Sequence, residues 1–494
     1  MSDIENIIND NIKLCLDNFR QIIYNIKGEG TKKINKDKFE NSIPIILNNA
    51  IIEMKKKYLF PGEDHIFSKY DVMDTLKFFN EDEYTFLSVK YPEFLNYLSL
   101  CYMTLIFQSM GDTLGYYNGL WEFNNDNPNA CPEYVNELIY QYFNLGGFMD
   151  INFKNMIASD DTILYQSTLI SLYSSYLHFN KLSMKNNDIN IENSEFIKFY
   201  GKTLRNKYLD EFENLKSRHP GVTTMNSLES QKNIRWDKLP YNSKSIGAGS
   251  AMRTGCLGIV VNDDIIISIL AIEASRITHN SATAILGAIT SALFTKFSIM
   301  KYDINEWPNM MLDIINSNDI DEYMASSRKN EYKSFERDRT IFIGKWKKYI
   351  SLIHPGINPN INQNYMKNPV LRYENLTERF SQDCDIPGSC GDDATIMAYD
   401  SLIRCNGSIE KLIMYSILHP GDSDTVGSMA FSWYCGYFHK PDKQVLFTKK
   451  FLELEFIDKI INTARCFKNI IIEEYFSVIL FDHMLHEFLK YNFD

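Results

Sequence analysis

Histidine, cysteine and tryptophan are scarce in this chain of 494 residues, at 9, 9 and 5 copies. No two cysteines stand in CxxC spacing, so metal-finger motifs are excluded and a disulfide framework is not expected. Cys384 and Cys390 could pair, but buried free thiols are the expectation, the usual state of sparse cysteine. Phosphate-binding GxxxxGK[ST] is absent, and no dinucleotide fingerprint occurs in a strand–helix–strand setting. The apolar stretches Tyr97–Phe107 and Ile265–Ile272 are too short to span a bilayer. The N-terminal MSDIENIINDNIKLCLDNF lacks a basic start and an apolar core, so no signal peptide is expected. An intracellular, cytoplasmic and reducing location follows as an expectation, with no membrane partner. Basic charge is also in deficit: 51 Lys and Arg against 63 Asp and Glu leave a net charge of −12. That balance excludes a general nucleic-acid binder.

What is present is ordinary globular composition, 45% hydrophobic and 23% charged. Residues 1–95 mix Lys, Asn, Asp and Ile, with helical patches at Ile43–Met54 and Val72–Phe79 and no catalytic grouping. Helical periodicity marks Tyr134–Phe143, Glu195–Arg205, Ile265–Ile277, Ala282–Phe297, Pro308–Ile315 and Phe456–Leu489. Loops are expected at Asn180–Glu192 and His354–Asn368. Ala284, Gly287, Ala288, Ser291 and Ala292 form a stripe of small residues at helical spacing, which lets another helix approach closely. Sustained two-residue alternation is scarce, so the fold class is all-α.

Acid is concentrated where helices begin. Ser159-Asp160-Asp161-Thr162, Gly391-Asp392-Asp393 and Gly421-Asp422-Ser423-Asp424-Thr425 each precede an apolar helical run. Helix capping alone accounts for any one of these segments. A cap needs one oxygen, however, and the first and third segments offer two carboxylates plus hydroxyls before helices that read as buried. Carboxylates gathered in a desolvated pocket repel one another and retain protons at pH 7, a conflict that a divalent cation resolves. The ligand atoms on offer are hard oxygens, which favour Mg²⁺, Ca²⁺ or Mn²⁺ over Zn²⁺. Glycine turns at Gly111–Gly115, Gly247–Arg253 and Gly388–Gly391 could present backbone N–H groups to phosphate oxygens.

Together these words resemble the ADP-ribosylglycohydrolase family. They occur as Gly111-Asp112-Thr113-Leu114-Gly115-Tyr116-Tyr117-Asn118-Gly119-Leu120-Trp121-Glu122-Phe123, then SDDT at 159–162, Gly249-Ser250-Ala251-Met252-Arg253 and Ser275-Arg276-Ile277-Thr278-His279. Gly391-Asp392-Asp393-Ala394 and Gly421-Asp422-Ser423-Asp424-Thr425 complete the order. The tyrosine-rich GYYNGxWEF word is similar to the ADP-ribosylarginine hydrolase branch. The resemblance implies a compact all-α catalytic domain at 96–494 around a binuclear Mg²⁺ centre (Mn²⁺ possible), behind an N-terminal helical extension at 1–95. It implies metal ligands Ser159, Asp160, Asp161, Asp422, Asp424 and Thr425, with Asp160 or Asp161 as the general base. Substrate contacts are implied at Gly247, Gly249, Ser250, Gly388, Ser389, Gly391 and Asp392.

The implied reaction is hydrolysis of the N-glycosidic bond between ADP-ribose and a modified protein side chain, arginine first, by a monomeric enzyme whose partners are the ADP-ribosylated protein and ADP-ribose. The alternatives are an ADP-ribosylserine or O-acetyl-ADP-ribose hydrolase and a non-catalytic ADP-ribose-binding descendant. A diphosphate-cleaving terpene synthase would want DDxxD, and Asp160-Asp161-Thr162-Ile163-Leu164 lacks the fifth-position aspartate. Departures from the family pattern are Thr425 in place of Ser, Asp392 in place of His, and Arg372–Pro387 in place of a Trp-containing segment.

Overall fold

The computed structural model describes residues 92–124, 132–186, 193–353, 367–384, 386–438 and 452–467. The expected helices at Ile43–Met54 and Val72–Phe79 lie outside these residues, as do most of Phe456–Leu489 and the loop His354–Asn368. The chain divides into two compact units, one of residues 1–98, 176–192 and 465–494, the other of 99–175 and 193–464. The three acidic segments and the glycine words all belong to the second unit.

Every regular element among the described residues is a helix. The longer ones are α1 (Pro92–Tyr116), α2 (Tyr134–Asn144), α3 (Asp160–Asn186), α4 (Asn193–Asp210), α5 (Val222–Gln231), α6 (Asp264–Arg276) and α7 (Ala282–Ile299). They continue with α8 (Trp307–Ile315), α9 (Asn318–Ser327), α10 (Tyr332–Ile353), α11 (Pro369–Phe380), α12 (Gly391–Cys405), α13 (Ile409–Ser416) and α14 (Ser423–Phe438). An isolated bridge pairs Gly247 with Cys390. The loop expected from Asn180 is helical as far as Asn186, where α3 ends.

Helix α7 is the centre of the second unit. It is long and apolar enough to cross a membrane, yet all of it is buried inside the protein. Ser281 caps its start by accepting the Ala284 N–H at 3.2 Å. The small-residue stripe does what its spacing predicts. A methyl group on Gly287 would stand 2.5 Å from the Gly391 carbonyl oxygen, so α12 begins directly against the α7 backbone. Further along, Phe294 is the hub of an aromatic cluster, with ring centroids of Trp307, Trp346, Tyr399 and Trp433 at 5.4, 5.6, 5.4 and 5.2 Å.

The glycines at 111 and 115 are not in a turn, as their spacing suggests, but inside α1. Their work is packing. A Cβ on Gly111 would lie 2.4 Å from the Gly427 carbonyl oxygen, and one on Gly115 would lie 2.4 Å from that of Ser423. Ser423 Oγ also donates to the Gly115 carbonyl at 2.8 Å. Helix α1 therefore meets the first turns of α14 backbone to backbone, which sets Asp112 beside the Asp422–Asp424 segment.

Gly111→Ala is expected to lower stability by about 1–3 kcal/mol through overpacking of this contact. Gly344, with nothing within 4 Å of an added Cβ, lies inside α10. Gly344→Ala should instead stabilise by about 0.4–1 kcal/mol. Denaturant unfolding of both variants checks the pair. Equal effects would show that the α1–α14 contact does not constrain the fold.

Candidate active site

Helix α3 begins in the interior, and its capping is supplied by neighbours. Ser159 Oγ accepts the Asp161 N–H at 3.1 Å. From α1, Asp112 accepts the N–H groups of Ser159 and Thr162 at 3.2 and 3.1 Å, and the Thr162 hydroxyl as well. The backbone just ahead is clamped too. Arg218 donates to the Ala158 carbonyl at 2.6 Å, and Glu455 accepts the Ala158 N–H at 2.9 Å. Arg218 and Glu455 are themselves paired at 2.7 Å. With the cap provided by Ser159 and Asp112, the carboxylates of Asp160 and Asp161 are spared that role.

The segment before α14 meets them across the pocket. Thr425 Oγ1 donates to Asp161 Oδ1 at 3.4 Å, from 264 positions away, and Ser428 Oγ donates to Asp161 Oδ2 at 3.1 Å. The Thr425 N–H is shared by Asp422 and Asp424 at 3.3 and 2.9 Å. Asp160, Asp161, Asp422, Asp424 and Thr425 line one pocket of about 610 Å³ together with Gly247, Gly249 and Ser389. Ser159 lies immediately behind this wall, fully buried.

Acid dominates the pocket wall, where Lys244 is the lysine among the lining residues. Among the described residues, no Lys or Arg forms an ion pair with Asp112, Asp160, Asp161, Asp422 or Asp424. Burial first, and repulsion from Asp424 second, push the carboxyls of Asp160, Asp161 and Asp422 well above the usual range. The same two causes push Asp112 up to about 7. Burial likewise raises Asp424. Hard carboxylate and hydroxyl oxygens, desolvated and short of positive charge, fit a divalent cation of the Mg²⁺ type.

Two acids absent from the sequence-based expectation belong to this site. Asp112 falls in a word that reads as a glycine turn, which hides it. Glu122 lies in the pocket wall with 3% exposure, and its Oε2 makes no hydrogen bond. The His219 ring is 3.5 Å from that oxygen. Positive φ values at Tyr117, Asn118 and Phe123 shape the turn that carries Glu122 inward.

The second acidic segment, Gly391-Asp392-Asp393, turns out to be structural. Asp393 closes a capping box at the start of α12, its two oxygens accepting the Cys390 and Gly388 N–H groups at 2.9 and 2.7 Å. Asp392 is not a pocket residue. One of its oxygens accepts the Asp393 N–H at 2.9 Å, and the other pairs with Lys345 Nζ at 2.8 Å. Ser250, Gly388 and Gly391 also stand behind the wall, Ser250 donating to the Ala284 carbonyl at 3.0 Å. The free thiols expected at Cys384 and Cys390 are a disulfide, because the loop before α12 brings their Cα atoms to 6.0 Å. Cys384, Cys390, Asp392 and Asp393 offer ligand atoms within 4.8 Å of one another and form a second grouping that could hold a metal. It suits a cation less well, since Lys345 and three backbone amides already occupy its carboxylates.

The remaining polar residues position the wall. Burial and Arg253 push the His279 ring down to about 3, so it is neutral. Its Nδ1 meets Thr278 Oγ1 at 2.8 Å, and a Cβ on Gly249 would stand 2.7 Å from its Cε1. His419, held down to about 3 by burial and Arg372, accepts the Gly421 N–H at 3.2 Å. Arg253 donates to the carbonyls of Gly249 and Ala274 and to Thr278 Oγ1 at 2.6, 2.9 and 2.6 Å, a structural role.

A family model described as ADP-ribosylglycohydrolase matches residues 96–434. A protein of Acanthamoeba polyphaga mimivirus named as an ADP-ribosyl glycohydrolase, L444, is 50% identical over 374 residues, 75% of this chain and 70% of that protein. ADP-ribosylhydrolase ARH1 of Dictyostelium discoideum is 29% identical over 355 residues, 67% of this chain and 84% of that one. Among solved structures, a chain of an ADP-ribosylglycohydrolase-related protein complex is similar with a TM-score of 0.44 and 13% identity, over 76% of this chain and 99% of that chain.

The carboxyl shifts set a pH dependence. An unfolded Asp titrates near about 3.9, whereas Asp112 in the fold titrates at about 7. Between these values the unfolded chain has shed a proton that the fold retains, so this contribution to stability falls as pH rises. With a chelator present, Tm should therefore drop between about pH 5 and pH 7. Saturating Mg²⁺ should raise Tm, by more at the higher pH, with about 2.7 kcal/mol expected at a hundredfold excess over Kd. A Tm indifferent to Mg²⁺ at both pH values would remove the cation from the site.

Proposed function

The chain belongs to the ADP-ribosylglycohydrolase family and is a hydrolase of ADP-ribose linkages, and from that premise we propose that it releases ADP-ribose from arginine side chains by a Mg²⁺-dependent reaction. The observation that carries the reading is the meeting of Asp160 and Asp161 with Asp422, Asp424 and Thr425 in one buried, acidic pocket. Ser159, Asp160, Asp161, Asp422, Asp424 and Thr425 would hold two Mg²⁺ ions, Mn²⁺ being an acceptable substitute. When bound, such ions supply positive charge that orients ribose hydroxyls and acidifies a water.

In the reaction a water adds at the anomeric carbon of the ribose. The carbon–nitrogen bond breaks with its electron pair passing to the guanidine, which gains the proton that the water loses. Asp160 is the base that first takes this proton. Both oxygens of Asp161 already accept hydroxyls of Thr425 and Ser428, whereas Asp160 receives no side-chain hydrogen bond among the described residues, which supports that choice. The loop Gly247–Gly249 and Ser389 line the same pocket and would receive the diphosphate. Arginine is favoured over serine by charge: the wall is acidic, and Glu122 presents an oxygen without a hydrogen bond. The GYYNGxWEF word that carries Glu122 supports the same linkage.

Asp160→Asn and Asp424→Asn are each expected to leave the helical circular dichroism unchanged and to lower ADP-ribose release by about 10²-fold or more. The assay compares arginine-linked and serine-linked protein substrates side by side, with and without Mg²⁺. Full activity in either variant sinks the site. Faster release from serine sinks the arginine assignment, and tight ADP-ribose binding without release points to a non-catalytic descendant.

A further inference from the structure

The disulfide between Cys384 and Cys390 has no part in the proposed hydrolysis, yet both residues line the catalytic pocket. Cys390 is a fixed point. It precedes α12, is 4% exposed, donates its N–H to Asp393 and bridges to Gly247. Cys384 lies on the other side of the turn Ile386–Ser389, anchored by its own N–H to the Ser381 carbonyl at 3.1 Å.

The turn between them touches both halves of the site. The Pro387 carbonyl accepts the Asp422 N–H at 2.9 Å, so this turn holds the backbone that carries two of the pocket carboxylates. The Ser389 carbonyl accepts the Ala248 N–H at 2.7 Å, which ties the turn to the Gly247–Gly249 wall. A cross-link spanning six positions of chain is thus placed in the pocket wall, beside the two surfaces that must stay in register for one substrate to contact both.

We propose that Cys384 and Cys390 form a reversible thiol–disulfide site that sets the rigidity of this wall. Joined, they clamp the Ile386–Ser389 turn against Asp422 and Ala248. Parted, they free Cys384, and the turn holds Asp422 less firmly. The chemical partner is a small disulfide such as oxidised glutathione. One protein thiolate attacks it and releases one thiol, and the second protein thiolate then displaces the other from the mixed disulfide. Two electrons and two protons pass from the cysteine pair to the small disulfide, which becomes two thiols. A dithiol reductant reverses the exchange.

The consequence for binding rests on the pocket being the proposed ADP-ribose site, and the test separates the two ideas. The full chain is equilibrated in reduced and oxidised glutathione, and alkylation followed by intact mass and peptide mapping reports whether Cys384 and Cys390 are joined. Amide hydrogen exchange over Gly421–Thr425 should be faster in the reduced protein. ADP-ribose affinity in the presence of Mg²⁺ should be weaker by about fivefold or more, the lower range for coupling between distinct sites. Cys384→Ser should behave as the reduced protein in both buffers.

Redox-dependent exchange and affinity without release of ADP-ribose from arginine would overturn the proposed function and uphold this site. Two outcomes overturn the site itself: a pair that stays reduced in oxidised glutathione, or exchange and affinity identical in two states that mass analysis shows to differ. Wild-type reduction alone reads both, so the conclusion stands even where Cys384→Ser fails to fold.

Discussion

Packing carboxylates together in the interior, with no ion-paired Lys or Arg among the described residues, is the constraint around which this unit is organised. Asp112, Asp160, Asp161, Asp422 and Asp424 are all nearly inaccessible, and burial with mutual repulsion drives their proton affinities up. A fold tolerates such a group only where the surrounding helices over-determine it and where a ligand can supply the missing charge. Everything near the pocket serves the first requirement. Glycine contacts lock α1 to α14, the Arg218–Glu455 pair clamps Ala158, and neutral His279 and His419 brace the two walls. The donor set serves the second, offering hard oxygens to a divalent cation.

Similar sequence segments serve different physical ends. Asp160-Asp161 and Asp392-Asp393 look alike on paper, each a pair of aspartates opening an apolar helix. At α3 the capping falls to Ser159 and to Asp112 from another helix, which leaves the local pair facing the pocket. At α12, Asp393 caps its own helix and Asp392 answers Lys345, so no carboxylate is left over. The difference lies in what neighbouring helices bring, and no local pattern encodes it.

Much of the site is nevertheless legible in the sequence. The helix starts at Asp160, Gly391 and Ser423 and the all-α class follow from periodicity and turn chemistry, which are local. The small-residue stripe of α7 announces a close helix approach, and Gly287 makes it. The glycines of the 111–115 word read as a loop and are not one, because glycine that permits a turn and glycine that permits contact are the same residue type. Asp112 is hidden for the same reason. Cys384 and Cys390 mislead as well, since sparse cysteine says little about which thiols a turn will bring within reach.

By itself the sequence determined which residue types are available and which helices they open, since capping and periodicity act over a few positions. It also carried the family words, in order, that make this an ADP-ribosylglycohydrolase. Only the tertiary structure decided which acids share a pocket. Helix packing acts through space and brings Asp161 to Thr425 across 264 positions of chain, where desolvation and charge repulsion then act over a few ångströms. The same reach sets Asp392 aside, enlists Asp112 and Glu122, and joins Cys384 to Cys390 in the wall itself.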